Sequence, residues 1–93
     1  MLIAALQLEL AIPWAMSLKD KRRAVKGLKE RIRHRFKAST AEVGDLDLWR
    51  SAIIGVVLVG TDARVLEGCC RKIVDYVEEF PNARLEDFAL EII

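Results

Sequence analysis

The segment from Ser17 to Lys37 has the pattern of one long amphipathic helix, so the rest of the chain must cover its apolar face. Its apolar residues recur at spacings that place them on one side of a helix, and they are Leu18, Val25, Leu28, Ile32 and Phe36. Ser17 is a favourable N-cap residue, and Asp20 at the third helical position forms a weak variant of the capping box.

The same segment concentrates the positive charge of the protein. It holds ten of the fifteen Lys and Arg residues and two acidic residues, a net charge of +8. The remainder holds five basic and twelve acidic residues, a net charge of −7, so the total of +1 hides a strongly dipolar molecule. The candidate polyanion-binding residues on the outer side of the helix are Lys19, Arg22, Arg23, Lys26, Lys29 and Arg33.

Four strand-like segments accompany this helix. Residues 2–12 alternate with their even-numbered positions apolar, 38–43 form a short strand, 51–60 are apolar on both sides, and 84–93 alternate again. A second helix is expected from a cap at Thr61 to about Glu79, with Cys69 facing the core, because Pro81 prevents its continuation.

The resulting order is βαββαβ within a single domain, residues 1–93. Right-handed βαβ crossovers place both helices on one face of a four-stranded antiparallel sheet with the spatial order 4-1-3-2. The sequence therefore predicts an α+β, ferredoxin-like two-layer sandwich whose second sheet face is open.

Composition narrows the possible classes of protein. The chain has 93 residues and 53% hydrophobic content, enough for the core of one small domain. Two adjacent cysteines and one histidine, His34, are too few for a zinc site, and we expect neither metal nor cofactor. The apolar first twelve residues are too short to span a bilayer and carry no basic leader region, so we expect a cytoplasmic protein without membrane contact.

Several motifs resemble one bacterial family. They are P-x-x-x-S-L-K-x-K-R-x-x-x-K at 13–26, R-x-R-x-x-F at 31–36, S-x-A-E-V at 39–43 and L-W at 48–49. Together they resemble the YlxP-like family, or domain of unknown function 503, along essentially the whole chain. The resemblance implies a ferredoxin-like fold and a link with translation, since relatives are often encoded beside translation and ribosome-maturation genes. It supplies no established activity. Gly44, where relatives tend to be polar, is expected to loosen the following turn.

Known uses of the ferredoxin-like fold can be tested by the residues that they require. The first loop, 13–16, lacks the Gly and Arg of an acylphosphatase and the paired thiols of a heavy-metal carrier. The open face shows no aromatic residues of the kind an RNA-recognition motif uses to stack bases. No catalytic constellation is found, and we expect a non-enzymatic protein.

Four further residues are candidates outside the basic helix surface. Lys21 projects toward the apolar side, where its stem is expected to follow the core edge, and Glu42 is a possible ion partner or ligand contact beside it. Trp14 and Trp49 are either core lids or aromatics that flank a binding surface.

Two functions remain open. Like-charge i,i+4 pairs such as Lys19 and Arg23 each destabilise the helix by a few tenths of a kcal/mol. Because this cost brings no folding benefit, it favours RNA or ribosome binding over a merely solvated helix face. An acidic protein partner is also compatible with this concentration of positive charge. The alternative is a homodimeric interaction or small-ligand-sensing module that pairs through the open sheet face, formed by Ile3, Ala5, Ile53, Val57 and Val59.

Overall fold

The computed structural model describes residues 1–93 and has the element order that the sequence predicts. The elements are β1 (Leu2–Ala11), α1 (Leu18–Phe36), β2 (Ser39–Gly44), β3 (Ser51–Gly60), α2 (Ala63–Glu78) and β4 (Arg84–Ile92). The sheet has the order β2-β3-β1-β4, with every neighbouring pair antiparallel. The α+β ferredoxin-like fold is confirmed. Neither helix is both long and apolar enough to cross a membrane.

The core lies between the sheet and the two helices. In β1 the even-numbered residues are buried, and β3 contributes the residues paired with them in register, such as Val56 opposite Leu6 and Ile54 opposite Leu8. The helices close this layer with Val25, Leu28, Ile32, Leu66, Ile73 and Val77. The opposite face of the sheet is uncovered, as expected.

Local chemistry explains where each helix begins. Ser17 caps α1 by accepting a hydrogen bond from the Asp20 amide at 3.1 Å, and the Asp20 carboxylate accepts one from the Met16 amide at 2.9 Å. The cap of α2 is Asp62 and not Thr61, because Asp62 Oδ1 accepts hydrogen bonds from Arg64 N at 2.8 Å and Val65 N at 3.3 Å.

The second helix also differs from the sequence prediction in the cysteine that it buries. Cys70 is buried and Cys69 is half-buried, because the inward stripe of α2 includes Val74 beside Ile73. The predicted inward position of Cys69 was therefore wrong by one residue.

Gly44 has a packing role at the end of β2. A Cβ atom there would lie 2.8 Å from Ile53 Cδ1, so the strands approach closely at a point where the β2–β3 register shifts. Asp45 follows with a left-handed φ of 57°. The glycine therefore serves a tight contact between β2 and β3, whereas the sequence suggested a loosened turn.

Candidate functional site

The outer surface of α1 carries a band of positive charge, here called the basic arc, which the exposed Glu30 interrupts. Its members are Lys19, Arg22, Arg23, Lys26, Lys29 and Arg33. Lys29 is half-buried and the others are exposed. At 3.6 residues per turn they span about 120° of the helix circumference and about 21 Å of its length. No side chain of the basic arc lies within 4.0 Å of a carboxylate, since the ion pairs of the molecule involve other residues.

Two other arginines of α1 have structural partners. Arg31 Cζ lies 5.2 Å from the centroid of the Phe80 ring, and Arg35 Cζ lies 5.1 Å from that of Tyr76. These cation–π contacts join α1 to residues of α2 and the segment after it. Helix packing therefore accounts for these two arginines, and it leaves the charge of the basic arc without a partner.

Lys21 is the one buried charged residue of the protein, with 1% of its side chain exposed. Its Nζ lies 2.8 Å from Glu42 Oε2 and donates hydrogen bonds to the carbonyl oxygens of Asp45 at 2.6 Å and Leu46 at 3.4 Å. Glu42 Oε2 is itself buried and accepts no hydrogen bond of good geometry, so its contact with Lys21 is ionic. The structure contains the ion pair with Glu42 that the sequence offered as possible, and the charged end of Lys21 is enclosed in the protein and does not reach solvent.

The contacts of Lys21 hold the loop of residues 45–50, which joins β2 to β3, against the start of α1. Arg50 holds the same loop by a second set of contacts. Its Nε donates a hydrogen bond to the Ala15 carbonyl oxygen at 3.0 Å, and its Nη2 lies 3.5 Å from Met16 Sδ. The Ile12 amide in turn donates to the Arg50 carbonyl oxygen at 2.8 Å. The loop after β1 and the loop after β2 therefore form one joined surface beside the first turn of α1.

Both tryptophans lie on this joined surface, here called the aromatic end. Trp14 is 43% exposed and Trp49 is 51% exposed, so neither is a core lid. The Trp14 indole N–H donates to the Asn82 carbonyl oxygen at 2.8 Å, which fixes its orientation. The other large apolar residues exposed here are Met16, Leu46 and Leu48.

Sequence reasoning missed Arg50 as the residue that joins the two loops. One local signal is a basic residue between this loop and a buried strand, but its partners lie thirty-five and thirty-four positions away. The apolar and acidic alternation of residues 45–49 was a second signal of an exposed loop tip.

The open sheet face collects the apolar residues that the sequence assigned to it. The register pairs Ile3 with Val59 and Ala5 with Val57, and Ile53 lies further along the same face opposite Glu9. Val57 and Val59 are exposed, whereas the other three are half-buried. Acidic residues border this patch toward β4, where Glu91 lies opposite Ala5 and Asp87 opposite Glu9.

A cavity of about 530 Å³ lies at the opposite end of the sheet from the two tryptophans, between the end of α1 and the start of α2. Its lining is mainly apolar and includes Phe36, Val57, Val65 and Leu66, together with Lys37 and Cys69. It is the feature that the small-ligand alternative would require.

Comparison with known proteins agrees with the fold and the motifs. Residues 3–90 match the family described as "Protein of unknown function (DUF503)". The chain belongs to this family. One relative is the "Uncharacterized protein YlxP" of Bacillus subtilis, which is 28% identical over 68 residues, or 73% of this chain and 74% of the relative. Membership in the DUF503 family therefore agrees with the resemblance seen in the sequence, and its description assigns no activity.

Proposed function

We propose that this member of the DUF503 family is a non-enzymatic RNA-binding protein that contacts phosphates through the basic arc. The observation that carries the proposal is the set of cations on α1, such as Lys19, Arg23 and Lys26, that are exposed and form no ion pair within 4.0 Å. A surface of this kind is the electrostatic footprint expected of a polyanion-binding protein. The family resemblance adds the context, which is RNA of the translation machinery or of ribosome maturation in the cytoplasm.

Phosphate contacts explain affinity but little sequence preference. If about five phosphates are neutralised, the logarithm of the affinity for single-stranded RNA falls against the logarithm of the salt concentration with a slope of roughly −3.5. Between about 50 and 200 mM salt the affinity then falls roughly a hundredfold. Fluorescence anisotropy with a labelled oligonucleotide measures this slope directly.

Charge reversal locates the contact surface. In a variant carrying Lys19→Glu, Arg23→Glu and Lys26→Glu, RNA affinity is expected to fall at least about tenfold and the salt slope to become shallower. The matched control reverses three exposed basic residues of α2, Arg64, Arg71 and Lys72, and changes the net charge by the same amount. Equal losses in both variants, or a wild-type salt slope near zero, would remove the proposal.

An acidic protein is the competing partner for the same surface. A pull-down from lysate with and without nuclease separates the two, because nuclease treatment releases material held through RNA. Material retained after nuclease and lost on reversal of the basic arc would assign the surface to an acidic protein.

The second candidate function is a homodimer formed through the open sheet face. The observation that favours it is the exposure of Val57 and Val59, which are 41% and 64% exposed on the open face. A second copy would remove this apolar patch from water. Light scattering at micromolar concentration is then expected to give twice the mass of the chain, and a monomer would count against this function.

A further inference from the structure

The aromatic end and the basic arc both begin at the start of α1. The loop that contains Trp14 leads into α1 at Ser17, and Lys21 in the first turns of α1 holds the backbone of the loop that contains Trp49. Lys19 and Arg22 lie on the exposed side of these same turns, whereas Lys21 faces the core. A strand of RNA lying along the basic arc would therefore reach the tryptophans at the start of the helix.

The chemistry of the aromatic end differs from that of the basic arc. Its exposed side chains are aromatic or aliphatic, and the acidic residues Asp45 and Asp47 lie in the same loop. Acidic side chains disfavour phosphates, whereas indole rings stack on any base without reading its sequence. The two neighbouring surfaces therefore suit different parts of one nucleotide chain, with phosphates on the helix and bases on the loops.

The aromatic end is also held in place before any ligand arrives. The buried Lys21 and the bridging Arg50 fix the backbone on either side of Trp49, and the bond to the Asn82 carbonyl fixes Trp14. A ring of fixed orientation, such as that of Trp14, loses little conformational entropy when a base stacks on it, and an anchored backbone limits the positions that the Trp49 ring can take.

We propose that the aromatic end, through Trp49 and Trp14, stacks the unpaired bases of single-stranded RNA whose phosphates lie on the basic arc. This inference rests on the proposed RNA-binding function and specifies the form of its ligand: an unpaired strand, since the bases of a duplex are already stacked on each other. The open sheet face, which RNA-recognition motifs use, takes no part.

The test compares two probes that share phosphates but differ in bases. A single-stranded twelve-nucleotide uridine oligomer has both, and inorganic polyphosphate of similar length has phosphates alone. The Trp49→Ala variant is expected to bind the oligomer roughly 5- to 100-fold more weakly than wild type, with its affinity for polyphosphate unchanged. Trp49→Phe keeps an aromatic face and is expected to retain most of the affinity.

Two controls complete the experiment. Val65→Ala removes an exposed apolar side chain at the other end of the sheet and is expected to leave both affinities unchanged. In Trp14→Phe the remaining tryptophan reports on Trp49 alone, and its fluorescence is expected to be quenched by the oligomer but not by polyphosphate.

The outcomes separate this inference from the function on which it rests. If wild type binds neither probe, the RNA-binding function fails and the inference fails with it. If wild type binds both probes and Trp49→Ala binds the oligomer as tightly as wild type, the basic arc stands and the stacking role is overturned. Equal oligomer losses in Trp49→Ala and Trp49→Phe, in variants that remain folded, would also overturn stacking.

Discussion

Replacing Lys21 with methionine tests whether the buried charge holds the β2–β3 loop in place. Methionine keeps most of the length and apolar stem of the side chain but removes the ammonium group. The Glu42 carboxylate then loses its only counter-ion, and the carbonyl oxygen of Asp45 loses a donor at 2.6 Å. The variant thus leaves a mostly buried charge and a backbone acceptor without partners.

The expected loss can be estimated from burial. Removing one partner of a buried ion pair costs about 3–5 kcal/mol, because the remaining charge stays desolvated. The Glu42 side chain is 15% exposed and keeps some contact with water, so we expect the lower end, about 3 kcal/mol. Adding Glu42→Gln removes the orphaned charge, and the double variant should lose only about 1 kcal/mol relative to wild type.

Urea denaturation followed by far-UV circular dichroism measures these free energies of unfolding. Lys19→Met is the matched control, since it makes the same chemical change on the exposed side of the same helix and should stay within about 0.5 kcal/mol of wild type. If Lys21→Met also stays within that range, or if the double variant is no more stable than the single one, the ion pair does not anchor the loop.

Three further expectations concern the cysteines and the sheet face. Burial, and secondarily the nearby Cys69 thiol and Glu67 carboxylate, raises the pKa of the Cys70 thiol above its ordinary 9.0. The folded state holds this proton more tightly than the unfolded state, so the protonated thiol contributes its full stabilisation below pH 9.0, and this contribution is lost as pH rises through the folded pKa. The melting temperature of Cys70→Ala should therefore fall less steeply at alkaline pH than that of wild type. With a chromogenic disulfide reagent at pH 8, Cys69 should react first and Cys70 only on unfolding, and equal rates would contradict its burial. At the sheet face, Val57→Asp should convert a dimer to a monomer in light scattering, and an unaffected dimer would place the interface elsewhere.

Periodicity was sufficient to predict the fold because each element has a clear local pattern. The alternation along β1 identifies the residues under the helices, and the doubly apolar β3 identifies a central strand. The band of α1 that carries the basic arc follows from the spacing of its apolar residues, since the two sets occupy opposite sides of one helix.

Long-range partners were outside the reach of such patterns. Lys21 is enclosed because carbonyl groups from a loop twenty-four residues away converge on it, and local spacing holds no information about that contact. The choice between Cys69 and Cys70 depends on a small rotation of α2, since both lie at the border of its apolar stripe and burial of Val74 decides the direction. The cap at Asp62 was missed because Thr61 is also an acceptable cap residue.

The uneven distribution of charge has a kinetic consequence. A molecule with +8 on one helix segment and −7 elsewhere has a large electric dipole, and the field of a polyanion exerts a torque on it at a distance. Encounters would therefore begin with α1 already turned toward the ligand, and the acidic remainder would disfavour contact in other orientations. Added salt should then slow association more than it speeds dissociation, because the Debye length of about 8 Å at physiological ionic strength limits how far this alignment extends.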